Sequence, residues 1–274
     1  MKTLNSISLI LGFPLRSVAR RRSNFSLFAL IVMIVLSSCR EGNTTIEKIT
    51  GDDSDSVEIA REDILTSDIL SKDQQSRLKP ADVLARMKQG NVDFTKDNLT
   101  VRNTTSRVRK ASVGQYPKAV VLSCLDSRVP VEDIFHSGIG NLFVVRVAGN
   151  IINEDVLGSM EYACKVSGAK LVLVLGHEYC GAIKSAIDGY QLGNITALLQ
   201  KIQPAVVSSK ASFTGKTESS NPAFVEAVCD ENVKLSIQGI RSRSSVLKEM
   251  ESKEEIMIVG GVYDMNSGKV EILN

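Results

Sequence analysis

Two short segments carry side chains able to hold a metal ion and steer a nucleophile. In the first, Cys124, Asp126 and Arg128 alternate; in the second, His177 and Cys180 stand three residues apart. Two thiolates and an imidazole suit a borderline-soft ion such as zinc. Three protein ligands leave a fourth position for water, the pattern of a catalytic rather than a structural site. If the segment after Cys124 is extended, Asp126 and Arg128 share a face with it. Asp126 can then ligate the ion, or turn away to pair with Arg128. The same residues also admit a Cys124–Cys180 disulfide in an oxidising compartment, inert core thiols, or a core histidine bonded to a carbonyl.

Those residues need a scaffold that brings them together, and the hydropathy pattern supplies one. Ala119 to Ser123, Leu142 to Val147, Leu171 to Leu175 and Ile256 to Val262 are short runs, three of them apolar almost throughout, as strands buried on both faces are. Helical patterns alternate with them. Asn153 is placed to cap a helix reaching Val166 and stopped by Gly168, and a second helix covers Gly181 to Asp188. Two more cover Asn194 to Val207 and Ala223 to Ile240, with the Ser/Thr/Gly-rich stretch from Ser208 to Asn221 between them. Val270 to Leu273 closes a final hairpin. The pattern predicts an α/β domain with a central, mainly parallel sheet flanked by helices. In such sheets functional groups gather beyond the carboxyl ends of strands. Cys124 follows the first predicted strand and His177 to Cys180 the third, so both clusters face one crevice.

With 43% hydrophobic and 23% charged residues among 274, the chain is neither wholly disordered, collagen-like nor a multi-span membrane protein. Its formal charge of +2 is uneven: five basic residues (Lys2, Arg16, Arg20, Arg21, Arg22) and no acid fall in residues 1–38, which leaves the remainder mildly acidic. A mildly acidic body with 5% aromatics and no Trp gives little support to a nucleic-acid binder, which needs a basic face and stacking platforms. Arg20 to Arg22 precede an apolar stretch from Phe25 to Leu36, too short to span a bilayer and right for a signal-peptide core. Leu36-Ser37-Ser38-Cys39 resembles a bacterial lipobox. Residues 1–38 are thus expected to be a lipoprotein signal peptide, with Cys39 lipidated and the protein tethered outside the cytoplasm, in the periplasm or an equivalent compartment. A plain membrane anchor and an organellar transit peptide are the other readings of the segment. Residues 39–78, rich in acids, Ser, Thr and Gly, read as a flexible tether, and 79–274 as the catalytic domain.

The chemistry-bearing segments carry a resemblance. Ser123 to Pro130 (Ser-Cys-Leu-Asp-Ser-Arg-Val-Pro) and Gly176 to Ala182 (Gly-His-Glu-Tyr-Cys-Gly-Ala) resemble the two signature motifs of the β-class carbonic anhydrases. Gly90-Asn91 with Phe94, Leu142 to Asn150, Leu157 to Ala163, Glu231 to Val233 and Gly261 to Leu273 extend the likeness to bacterial members over about residues 80–274. The resemblance implies the β-carbonic anhydrase fold, with four parallel strands and a fifth, and a homodimer or tetramer. It implies one zinc per chain at the subunit interface and reversible hydration of CO2 to bicarbonate. It gives Cys124, His177 and Cys180 as zinc ligands. Asp126 accepts a hydrogen bond from zinc-bound hydroxide, Arg128 holds Asp126 off the metal, and in a closed form Asp126 is the fourth ligand. Some members regulate themselves through a second bicarbonate pocket that uses a Trp, which this chain lacks.

The remaining candidates are weaker. Ser127 is expected to be a structural hydrogen-bonder, since His177 is committed to the metal. Gly149 and Asn150 are expected to shape a loop near the site. His136 is expected to be a solvated surface histidine, and Cys164 and Cys229 buried free thiols. A CS2 or COS hydrolase on the same scaffold and a non-catalytic zinc-binding lipoprotein are the alternative functions. A redox pair of Cys124 and Cys180 is disfavoured because the chain has no C-x-x-C.

Overall fold

The computed structural model describes residues 69–97 and 104–273. The predicted signal peptide, Cys39 and nearly all of the acidic stretch lie outside the described residues. The packed chain begins before Lys79. Ser71 caps a short helix, α1 (Lys72–Ser76), and Gln75 on it is buried, donating to the carbonyls of Pro117 and Ser167. Both partners are distant in sequence, so composition alone gave no sign that this turn would be held.

Helices α2 (Pro80–Thr95) and α3 (Thr104–Ala111) lead into β1 (Ala119–Ser123). Next come α4 (Val131–Ile134), β2 (Leu142–Arg146), a 3-10 turn (Ala148–Asn150) and α5 (Glu154–Glu161), prolonged by a π-helical turn (Tyr162–Val166). Then follow β3 (Leu171–His177), α6 (Gly181–Ile187), α7 (Gly193–Leu199), α8 (Gln203–Ser212), α9 (Pro222–Arg243) and α10 (Ser245–Ser252). Strands β4 (Met257–Tyr263) and β5 (Val270–Leu273) finish the chain. Asn153 caps α5 as its position predicts, accepting from Val156 N at 2.9 Å.

Among the described residues the strands form one sheet in the order β2-β1-β3-β4-β5; the first four are parallel and β5 runs antiparallel to β4. This is the mainly parallel sheet flanked by helices that the alternation predicts. Successive side chains of β1 and β3 serve opposite layers. Val120, Leu122, Val172 and Val174 pack under α5, α6, α8, α9 and α10, whereas Ala119, Val121, Leu171, Leu173 and Leu175 pack under α2 and α4. Both faces of these strands are therefore covered, which is why their sequences are apolar without alternation. Helix α9 can lie close on β3 and β4 because Gly176 and Gly260 are bare: a Cβ on Gly260 would come within 2.6 Å of Val233 Cγ1.

The continuous helix predicted from Asn194 to Val207 is instead two. The chain turns at Gln200 to Ile202 and restarts at Gln203, because Pro204 lacks the N–H an uninterrupted helix would need and suits a first turn. α8 then runs on to Ser212, into the stretch read as loop. Ser and Lys are adequate helix formers once Ala205, Val206 and Ser209 are buried.

Candidate metal centre

The chain passes from β1 to β2 on one side and then returns across β1 to β3 on the other, so the topological switch lies between β1 and β3, where crevices form in open α/β sheets. Cys124 is the first residue beyond β1, His177 the last of β3, and Cys180 the residue before α6. With Ser123 in register with Leu175, the ends of the two strands lie side by side. One sulfur from each cysteine and one ring nitrogen of His177 all lie within 4.8 Å of one another, and all three residues are buried. The cysteines are free thiols, not a disulfide.

His177 is prepared as a ligand. Its Nδ1 lies 2.8 Å from the Glu178 carbonyl oxygen. A carbonyl only accepts, so Nδ1 carries the proton and Nε2 presents its lone pair. That Nε2 is sealed from solvent and has no hydrogen-bond partner. An orphaned buried acceptor aimed between two thiols is what a metal would satisfy, so the donor set fits zinc. The thiols differ. Cys124 is pulled down, first by a hydrogen bond from Cys180 and also by the Gly149 N–H, which lies 3.4 Å from its Sγ. Cys180 is pushed up by the same hydrogen bond and by burial. The direction at Cys124 favours the thiolate, the form in which a cysteine ligates a metal.

Asp126 and Arg128 meet as expected, by a different geometry. β1 ends at Ser123 and residues 127–128 form a turn, closed by Val129 N donating to Asp126 O at 3.1 Å. The pair is therefore made across a turn and not along an extended face. Asp126 Oδ1 accepts from the Arg128 backbone N and from Nε, and Oδ2 accepts from Nη2 at 2.8 Å. A short carboxylate that bonds the backbone two residues on favours such a turn over a strand. Arg128, first through its hydrogen bonds, holds the Asp126 carboxyl well below the usual carboxylate range. Asp126 Oδ2 stands 4.0 Å from His177 Nε2, outside the three-residue cluster.

A family model described as carbonic anhydrase matches residues 119–270, from the first residue of β1 to the first of β5. The chain belongs to the carbonic anhydrase family. A protein of Mycobacterium tuberculosis named carbonic anhydrase 2 is 33% identical over 163 residues, 58% of this chain and 75% of that protein. Among solved structures, a Coccomyxa β-carbonic anhydrase in complex with acetazolamide matches with a TM-score of 0.56 at 22% identity, over 70% of this chain and 85% of that one. One of two tetrameric β-carbonic anhydrases from Sordaria macrospora matches at 0.55 and 22%, over 61% and 85%. The fold is that of the β-carbonic anhydrases.

Around this carbonic anhydrase site stand residues that sequence reasoning did not assign. Arg146, at the end of β2, donates from Nε to Cys124 O at 3.1 Å and from Nη2 to Asp126 O, fixing the loop that carries both side chains. Asn232 of α9 donates to Gly149 O at 2.9 Å, and the Gly149 N–H faces Cys124 Sγ. Gly149 sits at φ +67°, and a Cβ there would meet Ile202 Cδ1 at 2.6 Å, so the turn needs glycine. Cys229 donates its S–H to His177 O at 3.4 Å, and burial keeps it protonated by pushing it up to about 12. Glu178 accepts from Met265 N and Asn266 Nδ2, tying the ligand turn to the β4–β5 hairpin. Cys164 is buried, as expected. Ser127 is exposed and makes no hydrogen bond among the described residues, so it is not the structural hydrogen-bonder expected. His136 is buried, not solvated: after α4 the chain folds back, with His136 N on Asp133 O and Ser137 N on Glu132 O, and carries the ring inward at φ +47°.

Proposed function

We propose that the chain interconverts CO2 with bicarbonate and a proton, using one zinc ion held by Cys124, His177 and Cys180. The observation that carries this reading is the unpartnered Nε2 of His177 converging with two thiols beside an Asp126–Arg128 pair. Bound there, zinc would supply Lewis acidity that makes a water nucleophilic near pH ~7. The chain's own groups do the rest. Asp126 accepts a hydrogen bond from the nucleophile and so aims its lone pair at CO2. Arg128 occupies both carboxylate oxygens, which keeps Asp126 ionised and turned from the ligands. Released from Arg128, Asp126 would be the fourth ligand of a closed site. The Gly149 N–H and the His177–Glu178 hydrogen bond orient two of the three residues that would hold the ion.

The protein acts, in this reading, as a lipid-anchored enzyme outside the cytoplasm. Its half-exposed edge strand β2 is covered by a second copy, since an unpaired strand edge is rarely left open. A non-catalytic zinc protein would have no use for an Asp–Arg pair beside its ligands. Stopped-flow hydration of CO2 by the purified, zinc-loaded chain tests the function. A rate well above buffer, abolished by chelation and restored by zinc, is expected; a loaded protein no faster than buffer would sink the proposal.

A further inference from the structure

Lys118 sits at the end of the sheet opposite the metal ligands, immediately before β1. Its backbone is fully used, N–H to Asn141 O at 3.0 Å and C=O from Lys170 N at 2.9 Å. Its side chain is 5% exposed and makes no hydrogen bond or ion pair among the described residues. Acceptors on flanking segments are already engaged: Arg107 holds Ile139 O and Asn141 Oδ1, and Gln75 holds Pro117 O. The charged groups that act on its ammonium are Arg86 of α2 and Arg107 of α3, both cations. Burying an ammonium where two further cations act on it is costly, and removing its charge relieves that cost. The amine is accordingly pulled down to about 8, first by burial and then by Arg86 and Arg107.

We propose that Lys118 is a carbamylation site, taking up CO2 reversibly as a carbamate whose carboxylate pairs with Arg86 and Arg107. The neutral amine's lone pair forms the N–C bond while one C–O π pair moves onto oxygen. The N–H proton leaves to solvent, and nothing is oxidised or reduced. The group changes from a cation repelled by two guanidiniums to an anion attracted by them, and a hydrogen bond from a guanidinium to a carboxylate is charge-assisted. Arg107 is already oriented by its bonds to Ile139 O and Asn141 Oδ1, so little ordering is required. CO2 is small and uncharged and needs no polar channel to reach the buried amine. The inference goes beyond the hydration reaction and uses none of its residues.

The test equilibrates the purified full chain with 13C-labelled CO2 and bicarbonate, traps carbamates as ethyl esters with triethyloxonium, and locates the label by peptide mass spectrometry. The Lys118 peptide is expected to carry label that falls about tenfold for each pH unit below about 8. Chelating zinc should leave that label unchanged. Lys118→Arg, which keeps charge and bulk, should lose it, and Arg86→Gln should lower the yield several-fold above the amine's pKa. An unlabelled Lys118 above that pH, with an added peptide amine labelled in the same sample, overturns the proposal. Full yield in Arg86→Gln overturns the pairing. Hydration by the same samples is read separately, so a failure of either reading is distinguishable.

Discussion

In the proposed mechanism Asp126 and Arg128 divide one task between a carboxylate that must stay ionised and a guanidinium that must keep it from the ligands. Because Arg128 holds Asp126 below the carboxylate range, Asp126 is charged throughout the neutral region, and a pH–rate profile above about pH 6.5 reports another group, expected near ~7. Arg128→Ala should keep most of its zinc, since no ligand is lost, yet hydrate CO2 poorly near neutral pH as Asp126 turns to the ligands. Asp126→Ala should also keep zinc and lose rate in kcat as well as kcat/KM, because aiming the nucleophile matters in the transition state. Wild-type rates in Arg128→Ala from about pH 6.5 to about 9 would mean that the pair has another role. This pair and the cluster of Cys124, His177 and Cys180 were legible in the sequence because their types are rare together and lie in two short segments. Arg146, Asn232 and Cys229 were not, because each acts on a backbone or on a neighbour tens of residues away, and such contacts leave no local pattern.

At the scale of elements, the strands read correctly because burial on both faces forces continuous apolar sequence, and Asn153 announced α5 by its capping chemistry. The break between α7 and α8 was missed although Pro204 marked it, since the apolar spacing runs on across the turn. The long helix α9 does more than cover the sheet. Through Asn232 it fixes the Gly149 turn, and that turn donates to Cys124. Asn232→Leu removes the donor while keeping the branching and heavy-atom count of the side chain and leaves a buried carbonyl unpaired, a cost of about 1–3 kcal/mol. Outer hydrogen bonds of this kind are worth about 10- to 100-fold in metal affinity. A competition titration with a chromogenic chelator should therefore show weaker zinc binding in a protein that still melts cooperatively. Unchanged affinity would make Asn232 a packing residue only.

For the whole molecule, the reading joins a catalytic domain to an acidic arm and a lipid. A labelled lipid precursor should be incorporated by the full chain in a suitable bacterium, with the protein in the membrane fraction, and Cys39→Ala should abolish both. Unlabelled, unprocessed wild-type protein would favour a plain anchor or a transit peptide. The same purified material should sediment as a dimer or tetramer, and a monomer at micromolar concentration would leave β2 uncovered. The short helix that carries Gln75 is held by distant carbonyls and not by its own apolar content, so the composition before Lys79 gives no sign of it.

The function, the role of the Asp126–Arg128 pair and the part played by Asn232 all rest on one bonding arrangement. X-ray absorption at the zinc edge of the purified, zinc-loaded chain reads it directly. Two sulfur neighbours at about 2.3 Å and one imidazole nitrogen at about 2.0–2.1 Å are expected, with one further light atom. Cys124→Ser should drop the sulfur count to one or lose the metal. A shell of light atoms alone, or two sulfurs persisting in Cys124→Ser, would contradict the account.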